Sequence, residues 1–152
     1  MRASFQVFTL AVLTLTGGAA LAADFSGTWG IDLRTPAERN RKAECGSAHF
    51  VLTQVKDQIV GSHSFGTVDC GRINEGGNDT VKGIVIGDTA VLVLTSGRNG
   101  AIVLGVAKLD GDLLRWETRE TIRPGEPEGD SPLILGRGTL HRESSSVGSQ
   151  PN

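Results

Sequence analysis

Residues 81–109 read VKGIVIGDTAVLVLTSGRNGAIVLGVAKL, and this stretch decides the fold of the chain. Three short runs rich in Val and Ile are separated by Gly87-Asp88 and by the segment SGRNG at 96–100. Runs of this length, bounded by turn residues, are typical of β-strands rather than helices. Asp110-Gly111 follows at once and is a strong hairpin signal. The stretch therefore predicts the middle of an antiparallel meander.

Apolar runs alternate with turns along most of the chain and predict eight strands. They are expected near residues 25–33, 47–55, 59–67, 80–86, 89–95, 101–109, 112–122 and 133–142. Because each predicted strand follows its neighbour through a turn or loop, the favoured fold is an all-β, eight-stranded antiparallel up-and-down β-barrel, which leaves no sheet edge unpaired. A β-sandwich is the alternative. Thr35-Pro36 predicts a capped helix of one or two turns in the first long loop.

The two ends of the chain are predicted to lie outside the barrel domain, which is assigned to residues 23–142. Residues 1–22 have a basic start, an apolar core too short to span a bilayer and an Ala20-Leu21-Ala22 cleavage pattern, as signal peptides do. Export to the periplasm or the extracellular space is therefore expected, with no membrane span, and residues 143–152 are predicted to be a disordered tail. Without Arg2 the chain has 14 Lys+Arg against 17 Asp+Glu. A net charge this small does not indicate nucleic-acid binding.

The two cysteines, Cys45 and Cys70, are predicted to form a disulfide. A turn centred between Asp57 and Gln58 would place them opposite one another on adjacent strands. Directly opposed residues of an antiparallel pair lie about 4.5–5.5 Å apart, within reach of a disulfide, and export supplies an oxidising compartment. Two free thiols or a two-cysteine metal site are the alternatives, but without clustered histidines the pair is a poor zinc site.

Loop lengths distinguish the two ends of the predicted barrel. Tight turns are expected at 56–58, 87–88 and 110–111, and longer connections at 34–46, 68–79, 96–100 and 123–132. Alternate connections of an up-and-down barrel lie at the same end. The pattern predicts a cup with a closed base and a loop-rimmed mouth, with the disulfide joining two rim loops.

Alternation along 113–122 predicts which side chains point inward. One face is charged and is expected to look outward, so the other face, with Trp116 and Glu120, is expected to look inward. A hairpin centred on Asp110-Gly111 would place Trp116 opposite Gly105, among small inward residues. That space could admit a flat ligand, or Trp116 could simply fill the barrel.

The same reasoning predicts an aliphatic outer surface, because Lys82 marks the outward face of its strand. The large outward residues on three consecutive strands are the candidate oligomer interface, here called the outer aliphatic face: Ile84, Ile86, Val91, Val93, Ile102, Leu104 and Val106. Contiguous exposed patches of this kind usually mark partner surfaces, so a homo-oligomer is expected. In the alternative, the faces are inverted and these side chains fill the barrel.

Gly27-Thr28-Trp29 opens the first predicted strand. A G-x-W at the start of a small exported eight-stranded barrel resembles the calycins, that is, lipocalins and avidins. The G-T-W sequence, the small size and the apolar outer face resemble the avidin and streptavidin branch more closely. Residues 61–64, GSHS, are similar to its third-strand G-T-Y-x-S pattern. The resemblance implies that Trp29 plugs the closed end and that Trp116 corresponds to a ligand-stacking Trp on the seventh strand.

The chain departs from the avidin pattern at the positions that bind biotin. Ile31 stands where the family has its ureido-binding Asn, His63 where it has Tyr, and Phe65 where it has Ser. The late-strand Asp falls near Gly138, and the central strands have no Trp pair. The resemblance therefore implies the fold but argues against biotin as the ligand.

These readings give a set of candidate ligand-binding residues at the mouth: Arg34, His63, Phe65, Trp116 and Glu120. His63 could hydrogen-bond a ligand or titrate near neutral pH, although most histidines on an inward face are ordinary wall residues. Glu120 could anchor a cation, or could pair with a rim arginine such as Arg34 or Arg39.

Binding of a small molecule at the mouth is the first functional hypothesis. The alternative is a protein-binding module, such as a secreted inhibitor or surface factor, that acts through its rim loops or outer aliphatic face. An enzyme is not expected, because no nucleophile–base or paired-carboxylate arrangement, phosphate loop or metal cluster can be argued from the sequence, and no cofactor or metal is predicted. A deep cavity beside Trp116 would favour the first hypothesis, and a filled barrel with ordered loops the second.

Overall fold

Eight antiparallel strands close into a β-barrel in the computed structural model, which describes residues 23–144. A ninth, two-residue strand extends one side of the barrel. The strands are β1 (Gly27–Asp32), β2 (Cys45–Val55), β3 (Gln58–Val68), β4 (Ile73–Asn74), β5 (Val81–Ile86), β6 (Thr89–Thr95), β7 (Ile102–Asp110), β8 (Leu113–Arg123) and β9 (Arg137–Arg142). The all-β barrel predicted from the sequence is confirmed.

Each long strand pairs with its neighbour along the chain, and β9 returns to β1 to close the sheet. The closing ladder is short, with Trp29 opposite Arg142 and Gly30 opposite His141. The extra strand β4 pairs with Phe65 and Gly66 of β3 and lies in a segment that the sequence predicted as loop. The barrel thus has the predicted up-and-down order, with β4 added beside the end of β3.

The predicted short helix is present as α1 (Pro36–Asn40). The Thr35 hydroxyl accepts a hydrogen bond from the Glu38 amide, and the Glu38 carboxylate accepts one from the Thr35 amide at 2.6 Å. This reciprocal capping satisfies amides that have no partner inside a helix. The helix buries none of its side chains, so it shapes the rim and adds nothing to the core.

The predicted signal peptide, residues 1–22, lies outside the described residues, as does the predicted tail from 145 onward. The Glu143 amide donates a 2.8 Å hydrogen bond to the Thr28 carbonyl oxygen, so residue 143 still follows the barrel wall. No helix in residues 23–144 combines the length and the apolar character needed to cross a membrane.

The strand registers differ from the predicted ones by two residues in two hairpins. The β2–β3 hairpin pairs Val55 with Gln58, so Phe50 faces His63, whereas a turn centred between Asp57 and Gln58 would place it opposite Phe65. The β7–β8 hairpin pairs Asp110 with Leu113. In both, the turn lies one residue away from the predicted centre, which moves every cross-strand partner by two positions and leaves the inward and outward faces unchanged near the turn.

The barrel core is formed by aromatic and aliphatic side chains from all eight long strands. Trp29 and Trp116 are its largest members and are almost fully buried. The Trp116 ring meets Phe50 edge to face, with ring centroids 5.3 Å apart, which is a favourable aromatic geometry. Trp29 lies at the end with the tight turns, where its indole N–H donates to the Phe25 carbonyl oxygen and the Arg142 guanidinium stacks 4.1 Å from its ring centroid.

The outward direction predicted for the outer aliphatic face is confirmed. Leu92 and Leu94 are fully buried on β6, whereas Ile84 is 49 % and Ile86 65 % exposed on β5. The remaining members of the face are partly exposed. The inverted assignment, in which these side chains fill the barrel, is therefore wrong.

The Cys45–Cys70 disulfide is confirmed, although the strand register that predicted it is not. Cys45 is opposite Val68, and Cys70 lies beyond β3 in the turn that follows. The turn brings the two Cα atoms to 5.3 Å. The bond therefore joins the start of β2 to the loop after β3, at the mouth end.

Replacing both Cys45 and Cys70 with Ser should lower the free energy of unfolding by about 3 kcal/mol. Without the cross-link, the unfolded chain gains conformational entropy and the unfolded state is favoured. Urea unfolding of the purified variant measures the change. Intact-mass analysis of the protein purified from its own host, after thiol alkylation, should find no reactive thiol, and two alkylated cysteines would contradict the disulfide.

Candidate functional site

The mouth of the barrel is covered by the connection between β8 and β9, residues 124–136. Leu133 and Leu135 of this segment are 4 % and 5 % exposed, and Leu135 packs in the main core. The segment therefore lies across the opening as a lid, a name used here for residues 124–136. The open, cup-like mouth predicted from the sequence is not what the chain forms, because apolar side chains of the lid enter the barrel end.

A buried polar cluster holds the lid in place. The Asn74 side-chain amide nitrogen lies 2.9 Å from the Pro132 carbonyl oxygen and 3.2 Å from that of Leu133. The Ser96 hydroxyl donates to the same Pro132 oxygen at 2.8 Å. Since two carbonyl oxygens face the Asn74 amide group, its NH2 must point toward the lid. Three separate segments, β4, the β6–β7 loop and the lid, are joined at this point.

Asn99 and Asp130 extend the attachment of the lid toward the surface. The Asn99 side-chain nitrogen donates to the Asp130 carbonyl oxygen at 3.0 Å, and the Glu126 amide donates to the Asn99 carbonyl oxygen at 2.8 Å. Arg98 pairs with the Asp130 carboxylate at 3.0 Å. Within residues 23–144 no buried side-chain polar atom lacks a partner, so the closed arrangement satisfies the polar groups that it buries.

His63 belongs to this cluster as a neutral wall residue. It is 2 % exposed, its Nδ1 is 3.2 Å from the Thr80 hydroxyl and its Nε2 is 3.2 Å from the Asn74 amide nitrogen. Because the Asn74 NH2 can only donate, Nε2 must accept and the proton must lie on Nδ1. Burial lowers the pKa of His63 to about 4. The ring is thus held neutral and is not presented to the mouth.

Trp116 occupies the space that was predicted to admit a flat ligand. Its ring lies directly over Gly105, where an added Cβ would overlap with the ring and lie 2.7 Å from the Glu117 carbonyl oxygen. The indole N–H donates to the Leu135 carbonyl oxygen at 2.6 Å. Cross-strand, Trp116 faces Ala107 and not Gly105; the contact with Gly105 is diagonal. Trp116 therefore fills the barrel and supports the lid.

Glu120 does not point into the barrel, and this prediction is wrong. A β-bulge on β8 places Glu120 opposite Leu104, an outward residue, whereas Thr118 faces Gly105. One extra residue between those two positions reverses the alternation of the strand. Glu120 is exposed, and so is Ile122, which would share its inward face if the strand alternated regularly.

Arg34 and Phe65 have structural neighbours that account for their positions. The Arg34 guanidinium pairs with the Asp32 carboxylate at 2.9 Å and donates to the Ala43 carbonyl oxygen at 2.8 Å, and this arginine lowers the pKa of Asp32 to about 2. Phe65 is partly buried against the core and pairs with Asn74 of β4. Of the five candidate ligand residues, only His63, Phe65 and Trp116 lie on the inner side of the wall.

The polar residues that close the mouth, Asn74, Ser96 and Asn99, were not identified from the sequence. All three lie in segments predicted as loops, where Asn and Ser are common for local reasons. Only the contact between distant segments gives them a role. Among residues 23–144, no three His, Cys, Asp or Glu side chains are close enough to hold a metal ion.

Surface depressions flank the lid and the outer wall. One of about 540 Å³ lies beside the lid and is lined by Asn99, Arg123, Glu126 and Glu128. A second, of about 700 Å³, lies on the outer side of β7–β9, between Val106 and Arg137. Comparison of the chain with protein-family models, curated proteins and solved structures finds no match. The calycin and avidin resemblance stays a prediction, and function has to be argued from the geometry.

Gly105→Ala should lower the free energy of unfolding by about 1–3 kcal/mol, because the new methyl group overlaps with Trp116 in a packed interior. Gly136→Ala is the matched control, since nothing lies within 4 Å of a Cβ at that position, and it should change stability by less than about 0.5 kcal/mol. Urea unfolding compares the two. Equal effects would contradict the packing of Trp116 over Gly105.

The buried His63 should make the protein less stable as the pH falls from about 6.5 to about 4. In this range the unfolded chain takes up a proton that the folded chain does not, so the free energy of unfolding decreases, by about 3 kcal/mol in total. His63→Gln removes this contribution, and His49→Gln on the outer wall does not. Urea unfolding curves at several pH values measure how the free energy of unfolding depends on pH. The same pH dependence in His63→Gln as in the original protein would contradict the prediction.

Proposed function

We propose that this chain is an exported, non-enzymatic β-barrel module that binds another protein through the loops at its mouth end. The observation that carries the proposal is the filled interior, with Trp116 over Gly105 and the lid hydrogen-bonded across the opening. A barrel that holds a small molecule needs a concave site that buries most of that molecule. Here the side chains themselves occupy that volume, and the surface is left for recognition.

The mouth end supports this function because its loops are fixed before binding. The disulfide joins Cys45 to Cys70, and the Arg41 guanidinium forms two hydrogen bonds with the Asp69 carboxylate, at 2.8 and 2.6 Å. Arg98 and Asp130 hold the lid beside them. Loops that are ordered in the free protein lose less conformational entropy when a partner binds.

The rim carries charges of both signs, which suits a protein partner with a mixed polar surface. Arg39, Arg41 and Lys42 lie on the α1 side, and Glu126 and Glu128 lie on the lid. Complementary charges would steer association and set its orientation more than its strength. The outer aliphatic face on β5–β7 supports a homo-oligomer, in which the rim loops stay accessible to a protein partner.

Small-molecule binding at the mouth is the second candidate, and the 540 Å³ depression beside the lid favours it. Its volume falls within the range of about 300–1,000 Å³ typical of ligand sites. Arg123 and Glu128 would supply polar contacts there. This position is on the outside of the lid, so none of Arg34, His63, Phe65 and Trp116 lines it.

A distant relationship to the calycins is also part of the proposal. The support is the closed eight-stranded barrel and the burial of Trp29, from the G-T-W sequence, at the end with the tight turns. Ile31 and Gly138, at the positions that would bind the biotin ureido group, lie side by side: a Cβ on Gly138 would be 3.0 Å from the Ile31 side chain. An apolar neighbourhood of this kind gives biotin no hydrogen-bond partner.

Native mass spectrometry of the protein purified from its own host tests both candidates. We expect the mass of the processed chain with no stoichiometric small adduct, together with a heteromeric species after gentle crosslinking. Lys42→Glu at the rim should abolish that species. Lys56→Glu is the matched control, an exposed lysine in a turn at the opposite end. A small molecule bound one-to-one, or equal behaviour of the two variants, would contradict the proposal.

A further inference from the structure

We infer that two copies of this chain associate through the outer aliphatic face, about a two-fold axis parallel to the strands and lying between β6 and β7. In this arrangement Lys82 of each copy is opposite Glu120 of the other. The inference does not rest on the proposed function. Its occupant is a second copy of the chain, for the reasons of charge and shape that follow.

The charges come from a single row of residues that crosses four strands. Lys82 pairs with Val93, Val93 with Leu104, and Leu104 with Glu120. The row therefore reads basic, aliphatic, aliphatic, acidic from β5 to β8, with all four side chains on the outer surface. A two-fold axis through its centre reverses the row in the partner. Lys82 then meets Glu120 of the partner copy, and Val93 meets Leu104 of the partner copy, twice over by symmetry.

The charged ends of this row are available for such a contact. Neither Lys82 nor Glu120 forms a salt bridge within residues 23–144, and both are exposed. By contrast Glu117, one row away, pairs with Arg119 at 2.8 Å and with Arg137. Two sheets that pack face to face lie about 10 Å apart; because the barrel wall curves away from the axis at β5 and β8, Lys82 and Glu120 would meet with both long side chains extended toward each other.

The neighbouring rows can be followed through the same axis. The next rows run from Ile84 and Ile86 on β5 to Glu117 and Arg115 on β8. The same rotation therefore places Ile84 opposite Glu117 and Ile86 opposite Arg115 of the partner copy, over the 700 Å³ depression, whose lining includes Val106 and Trp116 together with charged side chains of β7–β9. The most exposed side chains of the face thus lie over this depression, where they can pack against Val106 and the aliphatic stems of its arginine and lysine side chains. Burying them removes apolar surface from water, which a soluble monomer would leave exposed.

An axis perpendicular to the strands does not give this match. It would place β5 over β5 of the partner and β8 over β8. Lys82 would then be opposite Lys82 of the partner copy, and Glu120 would be opposite Glu120 of the partner copy. Like charges brought together across an interface oppose association. The order of charges along the row therefore selects the parallel axis.

Charge reversal tests the contact, using the full chain as it is exported. Sedimentation velocity over a concentration series should show a monomer–dimer equilibrium. Lys82→Glu or Glu120→Lys alone should raise the dimer dissociation constant by more than about tenfold, because each creates two like-charge contacts per dimer. The double variant should return the dissociation constant to within about threefold of the original. Circular dichroism confirms that each variant is folded.

Glu75→Lys, an equal charge change on an exposed residue beyond β4, is the matched control and should leave the equilibrium unchanged. Each of the following results would overturn the inference. They are a protein that is monomeric throughout the series, a double variant no better than the single ones, and an assembly in which the barrel binds a different protein on this face instead of its own copy. Folded Ile84→Lys that still dimerises would also overturn it.

Discussion

The interior of an eight-stranded barrel has to be packed, and in this protein two tryptophans, Phe50 and aliphatic side chains pack it. Trp116 is the central element, because its ring lies over Gly105, meets Phe50 edge to face and donates its N–H to the lid at Leu135. A larger residue at 105 would displace the ring, and a displaced ring would remove the support of the lid. The closed mouth and the absence of room beside Trp116 follow from this one packing arrangement.

Closing the mouth with a lid places polar groups in an environment without water. The hydrogen bonds of the cluster around Asn74 replace the bonds to water that these groups lose. The Asn74 NH2 group lies within hydrogen-bond distance of the lid carbonyl oxygens of Pro132 and Leu133 and of Nε2 of the neutral His63 ring, and these acceptors share its two protons. Every partner comes from a different part of the chain. Such a cluster is cooperative, since loss of one member leaves the others unpaired. The lid is therefore part of the fold, and the rim loops that it carries form a rigid surface.

The sequence predicted the parts of the structure that depend on local pattern. Strand periodicity identified eight strands and the outward direction of the face around Val93, and Thr35-Pro36 identified the helix cap. Register was less accurate, because a one-residue error in the centre of a turn moves cross-strand partners by two. The β-bulge beyond Thr118, the strand β4 and the role of Asn74 could not be predicted, since each depends on contacts between segments far apart in the sequence.

The bulge on β8 connects the inside of the barrel with its outer surface. If the alternation of β8 had continued, Glu120 would have pointed into the barrel near its mouth, where it could have anchored a cationic ligand. The extra residue turns Glu120 outward and into the row with Leu104, Val93 and Lys82. One change in backbone register thus removes a charge from the interior, where it would have needed a partner, and places it at the edge of the outer aliphatic face. There Glu120 gives the face an acidic edge opposite the basic edge formed by Lys82. A surface with one basic and one acidic edge can pair with a reversed copy of itself.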